Sequence, residues 1–339
     1  MPSFFKRLGF FLSGGIPKTS AYELRRATRE RKWEEYQKLK NSENIHRYNE
    51  LAAQLVTPAS QSGLKGKERK ALKLELKKIR KSDDVKLFFK LQKETSNFKD
   101  ISGWELVFSD DFEGDKLNKE LWQTHPSLGG KLPDLLYSPA NERQVFTDGK
   151  NVEVSNKSVK LVTKKELGEG LAFSDQYGFI PVERDYTSGI INTGNSHKQL
   201  YGKIEARIRF NQPSKAVYHS MWMSAGGLLP HLNIIRVGTK LEFSVFSEDK
   251  EKGEVPVSHI GIQPHSYLRQ NTYYVFTVEW NEKVVTWKIN GRKMYSAPNI
   301  VNEPMYIAFS SGVTAKPSNN RHSVLEVDWV KAYRSGEKI

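Results

Sequence analysis

The stretch 201–210, "YGKIEARIRF", decides the fold. Ile204, Ala206, Ile208 and Phe210 alternate with Lys203, Glu205, Arg207 and Arg209, and a period of two puts each set on its own side of an extended strand. One face is therefore apolar and directed at a core. The alternation returns in "YYVFTVEW" (273–280). In "VVTWKINGRKMYS" (284–296) the pair Asn290-Gly291 separates two strand-like runs, the strongest short-range hairpin signal because both residues tolerate positive φ. Short strands punctuated by turn residues continue from Trp104 to the C-terminus. They predict a mainly β domain over 104–339, an antiparallel β-sandwich or jelly roll.

Upstream of Trp104 the period is helical. "SAYE" offers Ser20 as an N-cap with Glu23 three residues on, a capping box, and Trp33, Tyr36 and Leu39 follow at helical spacing. A second helix begins after Ser42, with Ile45, Tyr48, Leu51 and Leu55 on one face. After "TPASQSGLKG" the scheme recurs: "KSDDVKLFFKL" matches "NSENIHRYNEL" forty residues earlier, pairing Ser82 with Ser42, Val85 with Ile45, Phe88 with Tyr48 and Leu91 with Leu51. The spacing predicts an α-helical region over 20–94 made of two helical-hairpin repeats, neither with a wide apolar face of its own. Residues 1–19 form an N-terminal arm and 95–103 a linker.

Charge follows the same division. The chain carries a formal +14, and residues 1–100 hold 24 Lys and Arg against 12 Asp and Glu, whereas residues 101–339 hold 29 against 27. The basic character belongs to the helical region, which is the surface expected to meet a protein partner in a larger assembly. It lacks a motif for specific nucleic-acid recognition. There are no cysteines, which excludes disulfides, zinc-thiolate sites and thiol nucleophiles. "MPSFFKRLGFFLSGGIP" is too short and glycine-broken for a secretory signal, and no apolar run approaches a membrane span. A cytoplasmic or virion location is the expectation.

From Trp104 onward the residues resemble glycoside hydrolase family 16, the laminarinase, lichenase and agarase group. "WELVFSDDFEGDKLNKELW" (104–122) looks like that family's first strand and turn, and "NERQVFTDGKNVEV", "YTSGIINT", "YGKIEARI", "SMWM" and "LEVDWVKAY" follow in family order. The resemblance implies a concanavalin-like jelly roll with a glycan cleft on its concave face. It places Tyr218, His219, Trp222, His231, Asn233 and Arg236 in or beside that cleft as carbohydrate-binding residues. It also places Asp328 where many members help hold a structural calcium ion, the one cofactor it implies. The alternative for Asp328 is a plain strand aspartate.

The family's catalytic stretch runs Glu-x-Asp-x-x-Glu, or one residue shorter, usually after a proline. Two carboxyl groups about 5–5.5 Å apart serve as nucleophile and acid/base of a retaining mechanism, with the aspartate tuning their proton affinities. Alternation puts the first two on one strand face, and a bulge brings the third round to join them. In "LLPHLNIIRVG" (228–238) Pro230 is followed by His231, Asn233 and Arg236 at the three positions. Arginine cannot surrender a proton to a leaving group, and a His-Asn-Arg set lacks the paired carboxyls. Only His231→Glu, Asn233→Asp and Arg236→Glu together would recreate the pair with its tuning acid.

The sequence therefore predicts a non-catalytic family-16-like protein, a pseudoenzyme, that binds a polysaccharide or serves assembly through its basic helical region. Arg236 favours an anionic glycan such as a uronate or a sulfated chain. A phage virion structural protein displaying the jelly roll, and an active β-glycan hydrolase with relocated carboxylates, are the alternatives. The cleft decides between binding and scaffold: open, it can hold a sugar; filled by side chains, it cannot.

Overall fold

The computed structural model describes residues 10, 12, 14–56, 63, 65–127, 136–174, 176–227, 229–249 and 255–336. The chain divides into two compact units, one of Ser20–Trp104 with the extreme C-terminus, the other of the N-terminal arm with Glu105–Ser335. No helix among the described residues is long and apolar enough to cross a membrane.

The smaller unit is helical: α1 (Thr19–Lys40), α2 (Glu43–Val56), α3 (Gly66–Ile79), α4 (Asp83–Thr95) and the single turn α5 (Lys99–Ser102). Helix α5 occupies part of the segment expected to be a linker. Ser82 is the N-cap residue of α4, and Ser42 immediately precedes α2. Ser20, expected to cap the first helix, instead lies within α1, which begins at Thr19. Ile45, Val85 and Phe88 form the core of this unit, with Tyr36, Leu39, Tyr48 and Ile79 packed against it. Matching positions of α2 and α4 meet, for Asn44 donates to Asp84 at 3.1 Å. The exposed ion pair Arg47–Glu75 (2.8 Å) is screened by solvent, so apolar contact holds the helices.

The larger unit begins with β1 (Trp104–Asp110), β2 (Gln144–Phe146), β3 (Val152–Val154), β4 (Val159–Thr163), β5 (Gly168–Ser174), β6 (Gly178–Arg184), β7 (Tyr186–Ser188), β8 (Ile190–Asn192) and β9 (Lys198–Gln199). It continues with β10 (Gly202–Asn211), β11 (Val217–Ser224), β12 (His231–Val237), β13 (Lys240–Asp249), β14 (Val255–Pro264), β15 (Tyr274–Trp280), β16 (Val284–Ile289), β17 (Arg292–Pro298), β18 (Met305–Val313) and β19 (Ser323–Ser335). One sheet runs β17-β16-β15-β10-β19-β4-β3, with β1 also on β19; the other runs β14-β13-β12-β11-β18-β8, with β9 also on β18. Strand neighbours along both of these paths, and β9 with β18, are antiparallel. The architecture is the mainly β jelly-roll sandwich expected from the alternating sequence.

Burial in β10 explains why the period of two mattered. Ile204, Ala206, Ile208 and Phe210 are at most 1% exposed and join residues of both sheets in one core. The polar side is less open than alternation alone suggests, for Lys203 and Glu205 are also buried. They are satisfied in place: the Lys203 ammonium lies 4.2 Å over the Tyr333 ring and 3.7 Å from Glu205, which accepts from Thr277 at 3.2 Å.

Asn290-Gly291 forms the β16–β17 turn, with φ of 48° and 75°. The left-handed backbone explains why this pair occupies the turn. Asn290 does more. Its side chain accepts from Val275 N (2.8 Å) and donates to Pro17 O (2.8 Å) and Thr19 Oγ1 (3.0 Å), while Thr19 donates to Tyr273 O and Arg292 donates to Gly15 O (2.8 Å). Phe10 stacks on Tyr267 with centroids 4.0 Å apart. The hairpin thus anchors the arm. Asn290→Ala removes these bonds and puts a Cβ-bearing residue with no compensating polar group at positive φ. We expect it to lower stability by about 1–3 kcal/mol in urea titration and to speed native-state proteolysis within residues 10–19. Asn290→Asp, which keeps the acceptor for Val275, should lose less stability; equal loss in both variants would contradict this division of roles.

Candidate functional site

The site rests on a defect in β12. Across β11, Met221 faces Ile235 but Trp222 faces Asn233, so Ile234 is an extra residue. Across β13, Asn233 faces Ser244 and Arg236 faces Glu242, leaving Ile234 and Ile235 opposite Phe243. Two residues against one is a bulge. It sends both Ile234 and Ile235 into the core, at 1% and 2% exposure, and returns Arg236 to the face that carries His231 and Asn233. The extra turn is held from the opposite sheet, where the buried Trp287 indole N–H donates to Asn233 O at 2.9 Å.

The three side chains lie on the floor of an open cavity of about 430 Å³, to which Trp222, Tyr306 and Phe246 present rings and Glu142 and Glu242 present carboxylates. An adjoining cavity of about 340 Å³ shares Tyr218, Arg236 and Glu242 and adds Lys215 and Lys240. Among the described residues, no side chain fills the cleft. Trp222, which could have belonged to the core, points into it. Its ring stacks on His231 (5.1 Å, 29°) and its Nε1–H donates to Ser310 Oγ at 3.0 Å.

Polar contacts connect the floor. His231 Nε2 lies 3.2 Å from Asn233 Oδ1, Asn233 Nδ2 donates to Ser244 Oγ (2.9 Å), and Ser244 donates to Glu242 Oε1 (2.8 Å). Arg236 sits 3.9 Å from Glu242 and stacks at 4.0 Å over Tyr218, whose hydroxyl donates to Glu142 at 2.6 Å. Burial pushes the His231 imidazole below its ordinary range, against the raising effects of Asn233 and Glu242. Burial, with the Glu142 charge beside it, raises the Tyr218 phenol well above its ordinary 10. The set is thus a neutral imidazole, an amide, a guanidinium and a protonated phenol among two acceptor carboxylates.

Residues 140–331 match the profile of Glycosyl hydrolases family 16. The chain belongs to glycoside hydrolase family 16. It is 22% identical over 271 residues to glucan endo-1,3-beta-glucosidase A1 of Niallia circulans, covering 69% of this chain and 38% of that one. It is 25% identical over 203 residues to the clotting factor G alpha subunit of Tachypleus tridentatus, covering 57% and 26%. The chain spans well under half the length of either. The fold matches the laminarinase catalytic domain of Thermotoga petrophila RKU-1 (TM-score 0.54, 19% identity, 69% of this chain and 99% of that one). It also matches LamAcat of Zobellia galactanivorans (TM-score 0.54, 22% identity, 68% and 97%).

Against this family-16 frame, five of the six residues expected at the cleft line it: Tyr218, Trp222, His231, Asn233 and Arg236. His219 does not. Strand alternation turns it away from Tyr218 and Trp222 into the sandwich, where it is 1% exposed with Nδ1 2.7 Å from Ser311 Oγ and Nε2 3.2 Å from Ser323 Oγ. Asp328 lies outside the cleft, its carboxylate 2.9 Å from the Arg207 guanidinium. A calcium ion there would compete with that cation for the carboxylate, and since no group of three His, Asp or Glu stands together among the described residues, backbone carbonyls would have to supply its other ligands. Sequence reasoning missed Glu142, Glu242 and Ser244. Glu142 stands in the family stretch "NERQVF", and the tight turn at Gly238-Thr239 fixes Glu242 opposite Arg236, so a register count across that hairpin was the available signal.

Burial lowers His219 to about 4. The folded protein keeps this imidazole neutral while the unfolded chain takes up a proton below 6.5, so stability is retained above pH 6.5 and lost as pH falls toward 4. Urea titrations from pH 7 to 4 should show wild type losing about 1.4 kcal/mol per pH unit more than His219→Gln below 6.5. Parallel curves would place the proton elsewhere.

Proposed function

We propose that this family-16 protein binds a neutral β-glucan in the cleft of its jelly roll and does not cleave it by the family's retaining mechanism. One observation carries the reading. The bulge delivers residues 231, 233 and 236 to the cleft floor as the mechanism requires, yet they are His, Asn and Arg. No carboxyl pair stands at those positions to act as nucleophile and acid. What supports binding is the open cavity with Trp222, Tyr306 and Phe246 around it, since aromatic faces beside hydrogen-bonding groups suit sugar rings. The Niallia circulans relative is named for a β-1,3-glucan bond, which makes laminarin the first ligand to try.

The anionic glycan suggested by Arg236 is disfavoured in the main cleft, where Glu142 and Glu242 set two carboxylates beside one guanidinium. The assembly reading rests on the basic helical unit, to which we assign any protein partner. Hydrolysis by relocated acids has one observation in its favour, namely that Glu142 and Glu242 both face the cleft. Opposing it, each carboxylate accepts from donors here, Glu142 from Tyr218 and Gln144 and Glu242 from Ser244, with the Arg236 guanidinium 3.9 Å from Glu242, an arrangement that favours the ionised carboxylate over a proton-donating acid.

Isothermal calorimetry with laminarin should give binding to wild type and a loss of about tenfold or more in Trp222→Ala, the value of one buried aromatic face. Binding only to a sulfated or uronic glycan, abolished by changing Lys215 and Lys240, would move the ligand class. Release of reducing ends that disappears in Glu142→Gln or Glu242→Gln would replace this reading with the hydrolytic one.

A further inference from the structure

We propose that the β5–β6 hairpin is an extension of the glycan site, a ledge on which a neutral glucan chain continues beyond the cleft. The proposal rests on the glycan-binding reading of the cleft. Its basis is a register of side chains. Phe146 and Tyr137 both line the cleft and form an antiparallel bridge with Phe146 N donating to Tyr137 O at 2.8 Å. Tyr137 in turn makes a parallel bridge to Leu171, through Leu171 N to Leu136 O and Ser138 N to Leu171 O, each 2.8 Å. Leu171 faces Pro181 across the hairpin.

Residues directly opposite in a ladder share a face. Phe146, Tyr137, Leu171 and Pro181 therefore form one row that starts in the cleft and runs out along the hairpin, in steps of about 4.8 Å. Two residues further on the same face stands the next pair, Phe173 opposite Phe179, in edge contact at 5.3 Å and 66°. Phe173 is 47% exposed. The other face of the hairpin is directed at the body of the domain: a Cβ on Gly170 would meet Leu136 O and Val145 Cγ1 at 2.9 Å, and Ala172 is buried. The aromatic face is thus the outward one, and while a single exposed phenylalanine would not need explanation, one packed on a second half-buried ring along a row that reaches the cleft does.

The occupant follows from continuity and charge. The ledge begins at residues that already line the cleft, so a chain held there meets it without a turn. The pair on the same face on the other side of Leu171–Pro181 from the phenylalanines, Glu169 opposite Glu183, is acidic and exposed, which opposes anionic lipid, nucleic acid and sulfated glycans alike. Neutral pyranose rings, which stack their C–H faces on aromatic side chains, fit both features.

The test compares laminaritriose with laminarin by calorimetry on wild type, Phe173→Ser, Phe173→Ser/Phe179→Ser and Trp222→Ala. Thermal unfolding of each checks that the fold is kept, and the single variant at the half-exposed position serves if the double one is destabilised. We expect the ledge variants to weaken laminarin binding roughly tenfold and to leave the triose unchanged, while Trp222→Ala weakens both. Laminarin binding that is lost in Trp222→Ala but unchanged in the ledge variants would overturn the ledge and leave the cleft reading intact. Laminarin binding lost in the ledge variants but unchanged in Trp222→Ala would keep the ledge and overturn the cleft. No β-glucan binding by wild type, with sedimentation showing self-association abolished by the ledge variants, would overturn both and make the row a contact between copies.

Discussion

A hydrogen bond across the sandwich, from the Trp287 indole N–H to the carbonyl of Asn233, sits where the functional geometry is decided. Asn233 is the residue at which β12 bulges, and a bulge breaks the regular ladder that would otherwise satisfy its backbone. Trp287 is fully buried and comes from the opposite sheet, so the polar group is met inside the core, where an unmet one costs about 1–3 kcal/mol. Because the bond joins the two layers beside the extra residue, the core and the cleft floor share one constraint. Without the bulge, Arg236 would point into the apolar interior with Ile235 facing out.

That constraint explains how a family-16 cleft can stay organised with other side chains in it. Two carboxyls at close range repel and must share protons. Here His231, Asn233 and Ser244 make a chain of hydrogen bonds ending on Glu242, and Arg236 spans from Glu242 to the Tyr218 ring. Each buried polar group has a partner without needing an acid to titrate. The network therefore holds its shape.

Much of this was legible in the sequence. The period of two in 201–210 located the core strand because a half-buried strand has no other way to satisfy its faces. Asn290-Gly291 located a hairpin because few residues accept its backbone. The motif order gave the family, and the spacing 231, 233, 236 implied the bulge. His219, which the resemblance places at the cleft, instead follows strand alternation from Tyr218 and turns inward. Glu242 lies on the next strand, and its place beside Arg236 follows from the β12–β13 pairing, legible only by counting register across the turn at Gly238-Thr239. The ledge depends on bridges from residue 137 to residues 146 and 171, which no local pattern announces. The bonds of Asn290 to Pro17 and Thr19 span more than 270 positions and were equally out of reach.

The central claim is that the fold and cleft of family 16 are present and that three side chains withhold its chemistry. Reducing-end release from laminarin, measured side by side for wild type and for His231→Glu/Asn233→Asp/Arg236→Glu, tests it most directly. The account predicts binding without release by wild type and release by the triple variant. Release by wild type, or a triple variant that binds laminarin yet releases nothing, would contradict it.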